Sequence, residues 1–254
     1  MKKILLPIFL LVFLAACSSI AKKTSLESEN LNGKVKTVAE TKYEAIEENG
    51  KITKGKVSSW SIFITKIYNE KGNLIEVREY DSNGSLNKKH IWSFDEKGNE
   101  IGLNEYNSEE ILSEKSVFKY DKKGNLVELN AYNSDGSLSS KWLYKYDSKR
   151  NLIEQAQYNS DGGLGSKWLA QYDSKGNRIK GSQYDADGSL VGKWVDKYDK
   201  KGNQIEITRY GTDGSVIVKD NYGYEFDEKN NWITKIEYEG NIPQTITIRE
   251  IEYY

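Results

Sequence analysis

The stretch that decides the fold runs from Lys119 to Trp142 and reads KYDKKGNLVELNAYNSDGSLSSKW. Within it, the pattern Tyr-Asp/Asn-x-x-Gly-polar-Leu occurs twice, as YDKKGNL and YNSDGSL. Asp or Asn followed three positions later by glycine is typical of a type I turn that ends in a left-handed glycine and a bulge. The stretch therefore predicts two β-hairpin turns on either side of one strand, and it pairs Tyr132 with Leu138 across the second turn.

The same two turns recur along most of the chain with a period of 26 residues. The glycines of the first series are Gly72, Gly98, Gly124, Gly176 and Gly202, with Arg150 in place of one. Those of the second series are Gly84, Gly136, Gly162, Gly188 and Gly214, with Glu110 in place of one. Because the two series alternate at spacings of 12 and 14 residues, each repeat holds two strands and two turns.

This repeat predicts an all-β fold, since no segment of helical period is long enough to cover a sheet. We expect an extended, twisted antiparallel meander of about fifteen strands, which could curl into a spiral or into an open barrel-like shell. A single β domain is predicted over residues 31–254. It divides into an N-terminal capping hairpin (31–67), the repeats (68–240) and a closing strand (241–254) in which Pro243 occupies an edge position.

The first sixteen residues, MKKILLPIFLLVFLAA, have the layout of a secretory signal peptide. Leu14-Ala15-Ala16-Cys17 resembles the lipobox of bacterial lipoproteins, which implies cleavage and acylation at Cys17 and anchoring in a membrane. Cys17 is the only cysteine, so an intramolecular disulfide is excluded. Ser18 resembles an outer-membrane sorting signal, and the polar residues 17–30 are predicted to form a flexible tether.

The charge balance excludes one class of partner. The chain has 37 Lys and Arg residues against 38 Asp and Glu residues. Without a basic excess there is no electrostatic footprint for nucleic acid. The predicted partners are the membrane, through the lipid anchor, and a glycan or a protein of the cell envelope.

Strict alternation along each strand places the aromatic residues on one face of the sheet. The candidate ligand-binding residues on that face are Trp142, Trp168, Trp194, Tyr132, Tyr144, Tyr158, Tyr184, Glu128 and Glu154. Two outcomes remain open. If the sheet curls shut, the tryptophans are core residues; if it stays open, they form a ladder spaced about 9.6 Å apart on which the sugars of an extended glycan could stack.

The motifs YDKKGNL, YDSKGNR and YDKKGNQ resemble the YD (RHS-type) repeat, Tyr-Asp-x-x-Gly-Arg-Leu, over roughly residues 66 to 240. The resemblance implies a long antiparallel sheet that winds into a spiral or shell, and an association with carbohydrate. Asn125, Asn177 and Asn203 stand where that family prefers arginine, and a DPxG junction is absent from the sequence. A self-cleaving, cargo-enclosing function is therefore not expected.

Metal binding and catalysis are not predicted. Asp185 to Ser189 read DADGS, like the start of a calcium loop, but the bidentate carboxylate that calcium requires about twelve positions along does not recur in the neighbouring repeats. His90, the only histidine, occupies an aromatic column. We therefore expect no cofactor, no metal and no enzymatic activity. The predicted function is that of a lipid-anchored outer-membrane binding protein, with a structural or protein-interaction scaffold as the alternative.

Overall fold

A computed structural model describes residues 24–57, 63–96 and 98–254, which form one antiparallel sheet and one short helix. The helix is α1 (Ser25–Ser28). The strands are β1 (Val35–Glu48), β2 (Lys51–Val57), β3 (Phe63–Tyr68), β4 (Leu74–Tyr80), β5 (Leu86–Phe94), β6 (Glu100–Tyr106), β7 (Leu112–Tyr120), β8 (Leu126–Asn133), β9 (Leu138–Tyr146), β10 (Leu152–Asn159), β11 (Leu164–Tyr172), β12 (Arg178–Asp185), β13 (Leu190–Tyr198), β14 (Gln204–Tyr210), β15 (Val216–Phe226), β16 (Trp232–Glu239) and β17 (Ile242–Tyr253).

The sheet closes into a barrel because β1 pairs on both of its edges. One edge of β1 pairs with β17, from Val35↔Tyr253 to Glu44↔Thr245, and the other pairs with β3 and then with β2. Sixteen strands complete the circuit, and β2 is an additional strand that extends the hairpin with β1. The all-β antiparallel prediction is confirmed, but the open spiral is wrong, since pairing between the two ends of the array removes both sheet edges.

The two series of turns lie at opposite ends of the barrel. The KGN end carries the turns that contain Gly72, Gly98, Gly124, Arg150, Gly176, Gly202 and Asn230, and the DGS end carries those that contain Gly84, Glu110, Gly136, Gly162, Gly188, Gly214 and Gly240. Each of these residues has a positive φ, as the predicted turn type requires. In the KGN turn after β7, for example, Asp121 N donates to Asn125 O and Gly124 N donates to Asp121 O.

A second bulge follows each turn and changes which residues share a face. In the β7–β8 pair the register moves from Tyr120↔Leu126 to Lys119↔Glu128, so Val127 is the extra residue. Because the side-chain period in a strand is two, one extra residue sends all later side chains to the opposite face. Leu129 therefore faces inward with Leu126, and Glu128 faces outward.

The inward face holds the hydrophobic core. One cluster of buried residues comprises Val77, Trp92, Phe118, Leu126 and Tyr144, contributed by neighbouring strands. Tyrosines near the KGN end are fixed by hydrogen bonds to the adjacent strand: the hydroxyls of Tyr146, Tyr172 and Tyr224 donate to the carbonyl oxygens of Leu126, Leu152 and Gln204. These bonds satisfy phenol groups whose rings are largely removed from water.

Residues 24–34 pack against the KGN end. Helix α1 begins with a capping box between Thr24 and Glu27, and Leu26 and Leu31 join Val35, Val38 and Tyr68 in a second buried cluster. The flexible tether predicted for residues 17–30 is therefore wrong over residues 24–30, because Leu26 is buried in this cluster and its backbone N donates to Gly72 O. The predicted signal peptide (1–16), Cys17 and residues 18–23 lie outside the described residues.

Candidate functional site

A stacked pair of tryptophans lies on the inner wall of the barrel. Trp168 on β11 and Trp194 on β13 have ring centroids 6.4 Å apart and an interplanar angle of 26°. Both side chains are only partly buried and lie on the inner face of the sheet. The separation is shorter than the roughly 9.6 Å expected for rings two strands apart in a flat sheet, which means that the two indoles lean towards each other over β12.

Gly181 on β12 makes this approach possible. It pairs with Ala170 on β11 and with Trp194 on β13, and a Cβ atom built on it would overlap the indole of Trp194 at Cε2, Cζ2 and Nε1. A glycine inside a strand often marks such a close approach. The missing side chain therefore creates the space that the indole of Trp194 occupies.

Arg178 covers the tryptophan pair at the KGN side. Its guanidinium carbon lies 5.9 Å from the ring centroid of Trp168 and 5.7 Å from that of Trp194, within the range of cation–π attraction. Arg178 Nε also donates to Asp196 Oδ2 at 2.8 Å, and Gln204 Nε2 donates to Asp196 Oδ1 at 2.6 Å. Since the side chain of Asp196 is fully buried, this carboxylate neutralises the arginine and fixes its position.

Amide and hydroxyl side chains surround the rings. On β10, Gln155 lies between Tyr144 and Trp168, and Gln157 lies between Trp142 and Ser166. Ser166 Oγ donates weakly to Gln157 Oε1 at 3.4 Å, and Trp142 Nε1 donates to Ser140 Oγ at 3.2 Å. These groups offer both donors and acceptors beside flat apolar rings, the combination that orients a small polar ligand.

The inner wall formed by β9 to β13, which we call the tryptophan wall, is close to electrically neutral. Its charged inward residues are the ion pair of Arg178 with Asp196, and Asp185 at the DGS end. The opposite wall is charged: Arg249 pairs with Glu40 at 2.8 Å, and Lys42 pairs with Glu237 at 3.2 Å. Burial acts to raise the pKa of Glu237, but Lys42 and Lys235 outweigh it and the pKa is lowered.

The structure separates the predicted site residues between the two faces. Trp142, Trp168 and Trp194 face the lumen, as does Tyr144, which is buried in the core. The prediction of one shared face is wrong for the outward residues, because the bulge after each turn reverses the alternation. These outward residues are Tyr132, Tyr158, Tyr184, Glu128 and Glu154.

The outward carboxylates take part in ion pairs on the outer wall. Glu128 contacts Lys119 at 2.6 Å and Lys141 at 3.0 Å, and Glu154 contacts Lys145 at 2.8 Å. The hydrogen bonds from Lys119, Asn130 and Lys141 lower the pKa of Glu128 to about 2. Neither carboxylate reaches the lumen, so neither can contact a ligand held by the tryptophans.

Arg178, Asp196 and Gly181 were not among the predicted site residues, although the sequence contained a signal for them. In the preceding repeat, Leu152 and Ala170 occupy the positions of Arg178 and Asp196. A basic residue and an acidic residue that depart together from the repeat pattern indicate a contact between them. Gly181 likewise departs from the repeat, since Gln155 occupies its position in the preceding repeat.

His90 belongs to a separate acidic cluster on the charged wall. It is buried on β5, with Nε2 3.4 Å from Glu79 Oε1 and Nδ1 3.7 Å from Glu105 Oε2. The sequence placed His90 in a column of aromatic residues, and the ring centroid of Trp92 is 6.2 Å from that of His90. The carboxylates of the neighbouring strands are additional partners. Among the described residues, no group of three or more His, Cys, Asp or Glu side chains is placed to hold a metal ion.

Within the described part of the chain, no helix is long and apolar enough to cross a membrane.

Comparisons with known proteins concern the fold only. No family model matches the chain, and no curated protein matches it. The chain is similar to a porin-like protein from Bacteroides uniformis, with a TM-score of 0.58 and 9% identity over 87% of this chain and 99% of that one. A porin-like protein from Bacteroides vulgatus matches with a TM-score of 0.32 and 12% identity over 87% and 98% of the two chains.

The Photorhabdus luminescens Tc holotoxin pore matches with a TM-score of 0.18 and 12% identity over 75% of this chain and 16% of that one. Matches with TM-scores this low carry no argument, so membership of the YD repeat family stays a prediction. The likeness to the protein from Bacteroides uniformis shows that this chain shares the fold of a porin-like β-barrel protein.

Proposed function

We propose that this chain is a binding protein of the cell envelope that holds a neutral glycan on its tryptophan wall. The observation that carries the proposal is the partly exposed pair of Trp168 and Trp194 on a lumenal wall whose charged residues are one ion pair and Asp185 at its DGS end. Sugar rings present flat patches of C–H groups and a rim of hydroxyls. They pack on aromatic faces and accept and donate hydrogen bonds at their edges.

The amides beside the rings support a sugar in preference to a purely apolar ligand. Gln155, Gln157 and Gln183 lie opposite the tryptophans on the intervening strands. Each carries two donors and an acceptor, which suits a ring of hydroxyl groups. A lipid tail or another apolar ligand would leave these amides without partners, at a cost of about 1–3 kcal/mol for each buried group.

The outer wall supports a position beside the membrane and not within it. A membrane-spanning barrel presents to lipid an apolar band about 25 Å tall. Here the outer wall carries Lys145 paired with Glu154 and Lys197 paired with Glu206, and the two lysine side chains are 68% and 59% exposed. We therefore propose that the barrel is a peripheral protein of the outer membrane, anchored through a lipid on Cys17.

The experiment that tests this function is a glycan array followed by titration calorimetry with the neutral oligosaccharides that bind. Replacing Trp168 and Trp194 by alanine should weaken binding by more than roughly tenfold, or about 1.4 kcal/mol. Tyr132→Ala with Tyr158→Ala is the matched control, since these aromatic residues lie on the outer wall. Equal effects of the two variants, or no binding of neutral glycans by the unsubstituted protein, would contradict the proposal; the second result would favour a protein-interaction scaffold.

A further inference from the structure

The two ends of the barrel differ in charge. The seven turns of the DGS series contain acidic residues and no Lys or Arg, and the β1–β2 hairpin at the same end adds Glu47, Glu48, Lys51 and Lys54. The acidic residues of the seven turns are Asp81, Glu109, Glu110, Asp135, Asp161, Asp185, Asp187, Asp213 and Glu239. At the KGN end, each turn contains at least one lysine. The protein therefore has an acidic end and an end from which cations project, although its formal net charge is only −1.

The positive charge is concentrated in four consecutive KGN turns, between β7 and β14, which we call the basic sector. Its basic residues are Lys122, Lys123, Lys149, Arg150, Lys175, Lys200 and Lys201, and its turn tips contain no glutamate. The lysines are exposed. Arg150 joins two of the turns, because Nε donates to Asn125 Oδ1 at 2.9 Å and Nη2 donates to the carbonyl oxygen of Lys123.

The aspartate that begins each of these turns is folded back into its own turn. Asp121 Oδ1 accepts hydrogen bonds from the backbone of Lys123 and Asn125, and Oδ2 accepts one from Asn125 Nδ2. Burial acts to raise the pKa of Asp121, but these bonds outweigh it and lower the pKa. The carboxylates are thus held within the turns, while the lysine side chains are exposed; the ammonium group of Lys201 lies 5.1 Å from the ring centroid of Phe226.

Residues 24–26, the first that the structure describes, lie at this same end. Ser25 Oγ accepts a hydrogen bond from Leu74 N at 2.9 Å, and Leu26 N donates to Gly72 O at 3.1 Å, both at a KGN turn. Only Ser18–Lys23 separate Thr24 from Cys17. Six residues span at most about 20 Å when fully extended, so an anchor on Cys17 would hold the KGN end close to the membrane surface.

From the charge and the position of the N-terminal segment together, we propose that the KGN end is a docking surface for anionic phospholipid headgroups. Basic residues near such a surface contribute about 1 kcal/mol each, within a screening distance of about 10 Å. In the docked orientation the basic sector faces the membrane, and the DGS end points away from it.

The test uses the full chain, exported with its own leader and reconstituted into vesicles of phosphatidylcholine with or without phosphatidylglycerol. A fluorophore is attached at Ser148→Cys in a KGN turn or at Ser134→Cys in a DGS turn, and a nitroxide on the lipid headgroups quenches it. The unsubstituted chain, labelled in parallel, corrects for reaction at Cys17. Quenching at position 148 should exceed quenching at 134 several-fold, only with phosphatidylglycerol, and high salt should abolish the difference.

Charge variants distinguish a docking surface from general attraction. Replacing Lys122, Lys123, Lys200 and Lys201 by glutamine should equalise quenching at the two positions. The matched control replaces Lys115, Lys141, Lys167 and Lys193, four lysines of the outer wall, and should leave the difference intact. The proposal would be overturned by equal quenching at the two positions in the unsubstituted protein, or by equal effects of the two variants. It would also be overturned if soluble polyphosphate bound the protein without displacing it from vesicles and lipid quenching showed no preference between the two positions.

Discussion

Trp194 on β13 lies directly over Gly181 on β12, in the space that any side chain at position 181 would fill. This relationship lets Trp194 reach Trp168, the other ring of the pair, across the intervening strand. It also offers a way to disturb the ring pair without removing either ring.

Gly181→Ala should separate the two indoles and weaken glycan binding by more than roughly tenfold, because the new methyl group would displace Trp194. Near-ultraviolet circular dichroism should show the change in tryptophan packing, and calorimetry the change in affinity. Gly192→Ala is the control: a Cβ there meets only Tyr210 O, at an ordinary 3.7 Å. If both variants bind as the unsubstituted protein does, the ring pair is not the ligand platform.

Arg178→Leu should destabilise the barrel by about 3 kcal/mol, since it leaves the buried carboxylate of Asp196 without its cation. The double variant Arg178→Leu with Asp196→Ala copies the residues of the preceding repeat, Leu152 and Ala170. It should recover most of the lost stability, as measured by urea unfolding. A double variant that is less stable than Arg178→Leu alone would show that the ion pair itself stabilises the fold.

Asn231→Ala should release the segment before β1. Asn231 is fully buried; its Oδ1 accepts from Asn32 N at 2.7 Å, and its Nδ2 donates to Asn32 O at 3.0 Å and to Tyr253 Oη at 2.8 Å. We expect a loss of about 2–3 kcal/mol from the unpaired backbone groups and faster amide exchange in residues 24–34. Asn203→Ala, at the same position of a turn whose asparagine bonds Asp199, should leave exchange in that segment unchanged.

Tyrosine ionisation should unfold the barrel between about pH 10 and pH 12. Burial raises the pKa of Tyr172 to about 12, and burial together with Asp196 raises that of Tyr198 to about 12, against about 10 for an unfolded tyrosine. A raised folded-state pKa stabilises the fold below pH 10, and this contribution is lost as the pH rises through 12. Phenolate absorbance should therefore rise together with the loss of far-ultraviolet dichroism, whereas titration that is complete near pH 10 in a folded protein would contradict the burial.

The turns and their period were predictable because they depend on neighbouring residues. Asp121, Gly124 and Asn125 form the predicted hydrogen bonds, and Tyr132 pairs with Leu138 as expected. The faces were less predictable, since the bulge at Val127 has no residue type that marks it. One unrecognised residue per strand was enough to assign Glu128 and Tyr132 to the wrong side of the sheet.

From the sequence alone follow the all-β class, the two kinds of turn, the 26-residue repeat and a column of tryptophans on one face of the sheet, since each depends on short-range geometry that recurs in register. The tertiary structure decided that the sheet closes, because β1 and β17 come from opposite ends of the chain and only their pairing satisfies both edges. It also decided that Trp168 and Trp194 stack, because their contact depends on Gly181 of a third strand and on an arginine held by a buried aspartate. Local chemistry determined the elements of this protein, and long-range closure turned one face of its sheet into a lumen.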